Sequence, residues 1–374
     1  MVPLFELTRQ YQSLKSELDG AVIDLLASGS YVLGPAVEEF ENAAAGYLGV
    51  KHAIGVANGT DALLLSMRAL GIAPGDEIIT TPFSFIATAE VVSLLGATPV
   101  FVDIEPETFN IDPEKIEAAI TSKTRAIIPV HLFGHPAAMT EINAIAHKHG
   151  LKVLEDAAQA WGASLQIGSK TTPTFCGALG DIAAFSFFPS KNLGACGEGG
   201  LVTTNDDALA ESVRMLRIHG QRRRYIHDEI GYNSRLHAIQ AKILSVKLPH
   251  SDAWNDARRA NAARYQALLS ESDLQVPSEK SGARHVYHQY TLRSANREAI
   301  GAALTGAEIG WAIYYPVPLH LQPVYAFLGY GEGSLPEAER AAREVLALPV
   351  FPELTPEEVD AVAIAVRGAA KYSA

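Results

Sequence analysis

Residues 181–204 read DIAAFSFFPSKNLGACGEGGLVTT: an apolar run, a turn around Lys191, a glycine-rich return and a second apolar run. The aromatic and aliphatic residues from Ile182 to Phe188 suit a buried strand, and Pro189, which has no N–H to give to a ladder, stops it. Gly194, Gly197, Gly199 and Gly200 allow a tight return into a strand reaching Thr204. Lys191 is therefore expected just past a strand end, on a loop held at both sides. A lysine among apolar neighbours loses proton affinity because burial disfavours its charged form, and its neutral amine can add to a carbonyl to give a Schiff base. A lone loop lysine is ordinarily a solvated surface group. The choice between the two readings lies in the rest of the chain.

The chain has 374 residues, enough for one large α/β domain and a smaller one. A net charge of -12 argues against general binding to nucleic acid or to an anionic membrane surface. Cys176 and Cys196 are too few for a disulfide framework or a CxxC metal site. The histidines show no HExxH spacing, and His131, His135, His147 and His149 make no metal set with the cysteines, so no metal is expected. Residues 1–20 lack a basic segment followed by an apolar core, and no later run approaches the ~18 apolar residues of a membrane span. A soluble cytoplasmic protein is expected.

In chain order, helical spacing runs from Leu14 to Leu26, and a second helix starts near Pro35 with Val37, Phe40, Ala44 and Tyr47 as its apolar stripe. His52 to Val56 reads as a strand, Asn58-Gly59-Thr60 as a turn, and Asp61 to Leu70 as a helix closed by Gly71. Free N–H groups and the positive end of the dipole at such a helix start suit one phosphate on Gly59 and Thr60; an ordinary helix cap is the alternative. Strands at Glu77 to Thr81, Pro99 to Asp103, Arg125 to Val130 and Leu151 to Leu154 then alternate with helices at Ser84 to Leu95, Pro113 to Ile120 and Met139 to His149. Within them Ile78-Ile79, Val100-Phe101-Val102 and Ala126-Ile127-Ile128 are continuously apolar, as in a mainly parallel sheet covered on both faces, whose functional groups lie past the C-terminal strand ends.

Beyond the lysine turn, Asn205 to Gly220 holds a capped helix, and Arg217 with Arg222, Arg223 and Arg224 forms a basic cluster suited either to solvent or to a diphosphate. Helices over Ser234 to Leu248 and Ser251 to Leu269 precede a polar, turn-rich stretch ending at Gly282. The remainder gives strands at Val286 to Leu292 and Gly310 to Tyr314, and helices at Arg297 to Leu304, Leu335 to Leu346 and Thr355 to Lys371. Pro316, Pro318 and Pro323 stiffen the loop between. A large domain is expected over 1–250, its N-terminal helix a candidate to pack on the small domain, and a smaller C-terminal α/β domain over 251–374.

Glu155-Asp156-Ala157-Ala158-Gln159 stands at a strand end, where Asp156 taken alone is as readily a helix cap. Beside Lys191 it reads differently. A pyridoxal phosphate site needs a lysine for the Schiff base, a carboxylate that keeps the pyridine nitrogen protonated, a phosphate cradle and a flat apolar group on the ring. Lys191, Asp156, Gly59 with Thr60, and Phe85 supply one of each. Ser186, alternating with Phe185 and Phe187, is a further phosphate ligand or a strand serine bonded to backbone.

Those residues fall in segments that together resemble one family nearly end to end: NGTDAL (58–63), PFSFIATAEVV (82–92), VD (102–103), LEDAAQAWGA (154–163), SFFPSKNLGACGEGG (186–200), GYNSRL (231–236) and YPVPLHLQPVY (315–325). The family is the DegT/DnrJ/EryC1/StrS group of sugar aminotransferases, of the aspartate aminotransferase fold. The resemblance implies pyridoxal-phosphate fold type I, an α/β large domain with a mostly parallel central sheet flanked by helices, plus a smaller C-terminal α/β domain. It also implies that Lys191 forms the Schiff base, Asp156 pairs with the pyridine nitrogen, Gln159 approaches the phenolic oxygen and Phe85 stacks on the ring. Gly59, Thr60 and Ser186 would hold the phosphate, with Asn233 reaching in from the other subunit of a homodimer with shared active sites. Arg235, Tyr315 and His320 become substrate candidates, and the loop before GYNSRL crosses toward the neighbouring site. The implied substrates are a keto-sugar nucleotide, dTDP- or UDP-linked, and glutamate as amino donor. A lysine at 191, where related dehydratases carry histidine, favours amino transfer, and Phe188 with Asn192-Leu193-Gly194 resembles the members acting at C3. A dehydratase, or a regulator that binds the cofactor without catalysis, are the alternatives.

Overall fold

The computed structural model describes residues 1–168 and 171–370. Two long helices open the chain, α1 (Thr8–Ser28) and α2 (Pro35–Leu48), followed by β1 (His52–Val56), α3 (Gly59–Ala69), β2 (Glu77–Thr80), α4 (Ala87–Leu94) and β3 (Thr98–Phe101). Next come α5 (Pro113–Ile116), β4 (Thr124–Ile128), α6 (Met139–His149), β5 (Lys152–Asp156) and the two-residue strands β6 (Ser164–Leu165) and β7 (Thr174–Phe175). Then follow β8 (Ile182–Ser186), β9 (Gly200–Thr204), α7 (Asp207–Leu216), the hairpin β10 (Gln221–Arg223) and β11 (Ile226–His227), α8 (Ala238–Lys247) and α9 (Ser251–Leu269). The chain ends with β12 (Ala283–Arg284), β13 (Tyr290–Arg293), α10 (Arg297–Gly306), α11 (Pro336–Glu344), β14 (Val345–Leu348) and α12 (Pro356–Ala370). The expected last helix residue, Lys371, lies outside the described residues.

The central sheet has seven strands in the order β1-β9-β8-β5-β4-β2-β3. β9 runs antiparallel to both β1 and β8, and the remaining pairings are parallel. An antiparallel neighbour needs no crossover helix, so the chain between β8 and β9 is free to be the short lysine-bearing return. Side chains alternate between the two faces. Ile182, Ala184 and Val202 pack under α3, α4 and α7, while Ala183, Phe185 and Leu201 pack against α2 and α8. Burial on both faces is why these strands read as unbroken apolar runs.

A second cluster gathers Tyr265, Leu269, Tyr290, Leu292, Ile300, Leu304, Leu346, Leu348, Val359 and Val362 around the antiparallel pair β13–β14, together with Val2 from the N-terminus. Arg9, in the first turn of α1, forks onto Glu358 of α12 at 2.8 and 2.6 Å. Further along, Leu14 and Leu18 of α1 pack with Ile243 of α8. Asp103, just past β3, accepts from the backbone N–H groups of Glu337 and Ala338 and so caps α11 from a distant part of the chain.

Three expectations for the C-terminal part need correcting. Residues 310–314 form no strand: Ala312 makes a single bridge to Ala347, and the Gly310 N–H is taken by the Val2 carbonyl. The helix expected to reach Leu346 stops at Glu344, because the buried run Val345–Leu348 peels off to pair with β13. The strand expected from Val286 begins only at Tyr290. Before it, the N–H groups of Val286 and Gln289 bond to the carbonyls of Gly134 and Phe133, so residues 286–289 cross over a loop of the large sheet instead of joining a ladder.

Candidate active site

Parallel pairing of β5 with β8, in the register Asp156 opposite Ala184, brings the C-terminal ends of both strands to one edge. Ser186 ends β8, Gly200 lies opposite it on β9, and Val56 at the end of β1 lies opposite Gly200. One row across three strands therefore delivers the turn Asn58-Gly59 to Ser186. The approach is close enough to demand glycine twice: a Cβ on Gly59 would lie 2.7 Å from Ser186 Cβ, and one on Gly200 would lie 2.2 Å from the Asn58 carbonyl oxygen.

The Asn58 side chain accepts from the Asp61 N–H at 2.8 Å and caps α3. The cap and the cradle are thus both present, since capping at Asp61 leaves the N–H groups of Gly59 and Thr60 without an intrahelical acceptor beside the Ser186 hydroxyl. Such a terminus, carrying the positive end of the helix dipole, fits a phosphate.

Lys191 sits in a turn closed by its own N–H to the Phe188 carbonyl and by Ala195 N–H to the Phe187 carbonyl. Gly194 is forced here as well, since a Cβ would come within 2.3 Å of the Pro189 carbonyl oxygen. From behind, the Lys247 ammonium donates to the Gly194 carbonyl at 2.8 Å. The Lys191 Nζ makes no hydrogen bond and no close ion pair among the described residues. Burial pulls its pKa down to about 8, and the Asp156 charge only partly opposes this.

Asp156 is buried at the end of β5, and burial raises its pKa. Thr88 Oγ1 donates to its Oδ2 at 2.7 Å and Ala158 N–H to its Oδ1 at 3.2 Å, two bonds that favour the carboxylate without supplying a full positive charge. Gln159 turns its carbonyl oxygen to the Phe133 N–H at 2.6 Å and donates from Nε2 to the Tyr315 hydroxyl at 3.2 Å. The Tyr315 ring is 6.5 Å from that of Phe85, whose own side chain is 58% exposed, a flat face without a stacked partner.

A half-buried amine lacking an acceptor, a buried carboxylate lacking a cation, a donor-rich cradle and an open aromatic face are what pyridoxal phosphate would complete, so the residues present fit it. The structure brings together Gly59, Thr60, Ser186, Asp156, Lys191, Gln159, Phe85 and Tyr315. It does not bring Asn233, Arg235 or His320 to them within one chain. Asn233 is exposed, and its side chain bonds only to Arg235. His320 is buried, with Glu339 at 3.1 Å and Tyr330 beside it, and its Nδ1 has no partner among the described residues.

Arg217, read from the sequence as part of a basic cluster, is instead buried against Glu41 at 2.5 Å and the Gly55 carbonyl at 2.7 Å. Only Arg222, Arg223 and Arg224 stand out in solvent, on the β10–β11 hairpin.

Sequence reasoning passed over Thr88, although it lies one turn from Ser84 at the start of α4 and the two hydroxyls meet at 3.1 Å. It also missed that His131, Glu155 and Cys176 come within 4.8 Å of one another in the core. Their ligand atoms are largely spent. His131 Nδ1 accepts from the Ala137 N–H, which leaves the proton on Nε2 for Glu155. Glu155 accepts in addition from the N–H groups of Gly177, Leu179 and Gly180, so the carboxylate shapes the loop before β8.

Among the described residues, no helix is long and apolar enough to cross a membrane. Residues 12–367 match the profile of the DegT/DnrJ/EryC1/StrS aminotransferase family. A Geobacillus stearothermophilus protein named a pleiotropic regulatory protein is 52% identical, the alignment covering 96% of this chain and 95% of that one. The UDP-N-acetyl-3-dehydro-alpha-D-glucosamine 3-aminotransferase of Acidithiobacillus ferrooxidans is 47% identical over 98% and 97% of the two chains. The crystal structure of S. venezuelae DesV in complex with a ketimine intermediate superposes with a TM-score of 0.94 at 43% identity, covering 100% of this chain and 99% of that one. With a full-length likeness of sequence and fold, and an edge of the sheet that fits the cofactor, the chain belongs to the DegT/DnrJ/EryC1/StrS family of pyridoxal-phosphate aminotransferases.

Proposed function

We propose that this protein moves an amino group from glutamate to C3 of a keto sugar carried on a UDP or dTDP nucleotide, as a homodimer in which each site uses residues of both chains. The observation that carries the reading is the Lys191 amine, half-buried, without an acceptor among the described residues, with its pKa brought down to about 8 at the strand edge that also holds Asp156 and the α3 terminus. Support for the substrate class comes from the 3-aminotransferase name of the Acidithiobacillus relative and from the near-complete coverage of both chains.

Pyridoxal phosphate, when bound, supplies an aldehyde that takes up amines and a ring that spreads negative charge from the carbon being deprotonated. The chain's own part is to place and protonate. The neutral Lys191 amine would take a proton from the donor's Cα in the first half of the exchange and, in the second, deliver one to the sugar C3 that becomes the amine-bearing carbon. Asp156, starved of positive charge in its buried place, would hold a protonated ring nitrogen. Gly59, Thr60 and Ser186 would hold the phosphate, Phe85 would cover the ring face, and Gln159 would orient the ring oxygen. Tyr315, beside Gln159, and Arg235, from a second chain, are the substrate contacts in this reading, whereas His320 is buried against Glu339 and Tyr330 and is left to packing; the exposed arginines Arg222 to Arg224 suit a diphosphate by charge and forked geometry.

The regulatory name of the Geobacillus relative favours one second reading, a protein that binds the cofactor without turning over. A single experiment separates them. Incubating the loaded protein with nitrogen-15 glutamate and a panel of 3-keto and 4-keto sugar nucleotides should give a labelled amino sugar, seen by mass spectrometry, from a 3-keto member. Labelled product from 4-keto sugars alone would correct the position. Absence of nitrogen from every product would sink the proposal, a deoxy sugar pointing to dehydration and no conversion at all to the regulator.

A further inference from the structure

The crossing segment at residues 286–289 interrupts its ladder at the place where it meets the lysine turn. His288 is buried there, with Nδ1 3.1 Å from Asn192 Oδ1, and Asn192 is the residue next to Lys191. The surrounding bonds fix which atoms carry hydrogen. Asn255 spends its Nδ2 on the Trp161 carbonyl at 3.0 Å, so its Oδ1 must accept, and it does so from Asn192 Nδ2 at 2.7 Å. The same Nδ2 donates to the Val286 carbonyl at 3.0 Å. Asn192 Oδ1 is therefore an acceptor, and His288 must carry its proton on Nδ1.

That proton is the group's contribution. Burial, with the positive charges of Lys191 and Arg258 nearby, holds His288 well below its ordinary pKa, so it stays a neutral donor throughout the usual working range and does not act as a switch. Arg258, on α9, also reaches the Tyr287 carbonyl at 3.4 Å, which ties the same segment down from the other side. Asn192 thus has both amide hydrogens and one lone pair of its oxygen taken by elements outside its own turn: α9 through Asn255, and the crossing segment through Val286 and His288.

We infer that His288 is a positioning residue for Lys191: its Nδ1–H, given to Asn192, locks the neighbouring residue and so fixes the direction from which the lysine amine enters the site. The inference rests on the reading of Lys191 as the reacting amine. A misplacement of about 1 Å in such a group costs on the order of 100-fold in rate.

The test compares three substitutions in the full-length protein. In His288→Asn the amide nitrogen falls where Nδ1 was and can still donate to Asn192. In His288→Gln the amide falls one bond farther out, and His288→Leu has no donor. We expect His288→Asn to keep kcat within about 3-fold, and His288→Leu to lose about 10- to 100-fold in kcat with KM for both substrates within about 3-fold. His288→Gln should behave like the leucine variant and replaces it if the latter does not fold.

A second readout does not depend on turnover. In the full chain freed of cofactor, the pH dependence of reductive methylation at Lys191, followed by peptide mass spectrometry, should have its midpoint near 8 in the parent and the asparagine variant. It should move up toward the ordinary lysine value of 10.5 in the leucine or glutamine variant, as the unlocked amine reaches solvent. Equal losses in all the variants, tracking their melting temperatures, would reduce His288 to packing and overturn the proposal. So would an unmoved methylation midpoint together with an unmoved kcat. If instead Lys191→Ala still transaminates, the underlying reading of the site has failed, a result that comes from that variant alone and is distinct from any outcome with the His288 variants.

Discussion

Burial acts in opposite directions on the two ionisable groups of the site, drawing Lys191 toward the free amine and Asp156 toward the neutral acid. Groups pushed this way are useful to chemistry and costly to the fold, because neither has its own counter-charge within ion-pairing reach. Replacing Lys191 with alanine should therefore lower amino transfer by about 1,000-fold or more while leaving the melting temperature level or slightly raised. Calorimetry beside the activity assay checks both halves. Asp156→Asn keeps one oxygen for the Ala158 N–H and turns its amide nitrogen to the Thr88 hydroxyl, which can accept instead of donating, so the fold should hold and pyridoxal phosphate should still bind. Amino transfer should drop by about 100- to 1,000-fold, because an amide cannot stabilise a protonated ring nitrogen as a carboxylate does. A drop no larger than the loss of stability would make Asp156 only a cap. Lys191 and Asp156 were legible in the sequence because each stands at or just past the end of a strand and the two together match what the cofactor needs, although Asp156 alone reads equally well as a cap. Thr88 and Asn192 were not, since a threonine in a helix and an asparagine in a glycine-rich turn have ordinary uses; only the tertiary partner, Asp156 or His288, gives them a role.

The α3 terminus shows how an element becomes a binding site by what it touches. Its cradle depends on backbone meeting Ser186 without a side chain between, so Gly59→Ala should force a shift of several tenths of an ångström or more at the Gly59–Ser186 contact. We expect a loss of about 1–3 kcal/mol in stability from the overlap, together with weaker binding of pyridoxal phosphate. The weakening should be larger for pyridoxal phosphate than for pyridoxal, because the damage falls on the phosphate donors; spectroscopic titration of both ligands measures this. Adding Ser186→Gly should relieve the overlap and recover stability without recovering the preference for the phosphate. Equal weakening of both ligands would mean that the phosphate sits elsewhere. The strands and helices around this terminus were readable because two-sided burial gives long apolar runs and because Asn58, Gly71 and Gly150 punctuate them. The later elements were harder. Val345–Leu348 continues the apolar content of the preceding helix and becomes a strand only because β13 is there to pair with it. Residues 286–289 have strand-like composition but spend their bonds on Gly134, Phe133 and Asn192.

At the scale of the whole molecule, one residue that the family resemblance assigns to the site is not carried to it by its own chain. Asn233, which the family resemblance assigns to the phosphate, lies on the surface, and among the described residues its side chain bonds only to Arg235. In the same stretch of chain Tyr225, Ile226 and Ile230 are 78%, 52% and 85% exposed, and Val32, which bridges His237, is exposed with Tyr31. Large apolar side chains left in solvent suit contact with another copy of the chain. A place for Asn233 in a second copy's site is an expectation from the family resemblance alone, because a residue facing a second copy has the same local sequence as one facing water. A two-fold dimer would carry Asn233 of each chain to the phosphate held by Gly59, Thr60 and Ser186 of the other, since in an isologous pair both sites are built alike. Lys191→Ala and Asn233→Ala chains should each be inactive alone, the first lacking the amine and the second a donor on the phosphate dianion. In a mixed dimer the two losses fall together on one site, and the other site holds both native groups. Differently tagged chains, unfolded together, refolded and purified by both tags in series, should therefore recover up to half the activity of the parent protein per dimer, measured by labelled amino sugar formed. If the doubly tagged dimer is folded and shows no more activity than its parents, Asn233 serves its own chain or none, and the shared site is wrong.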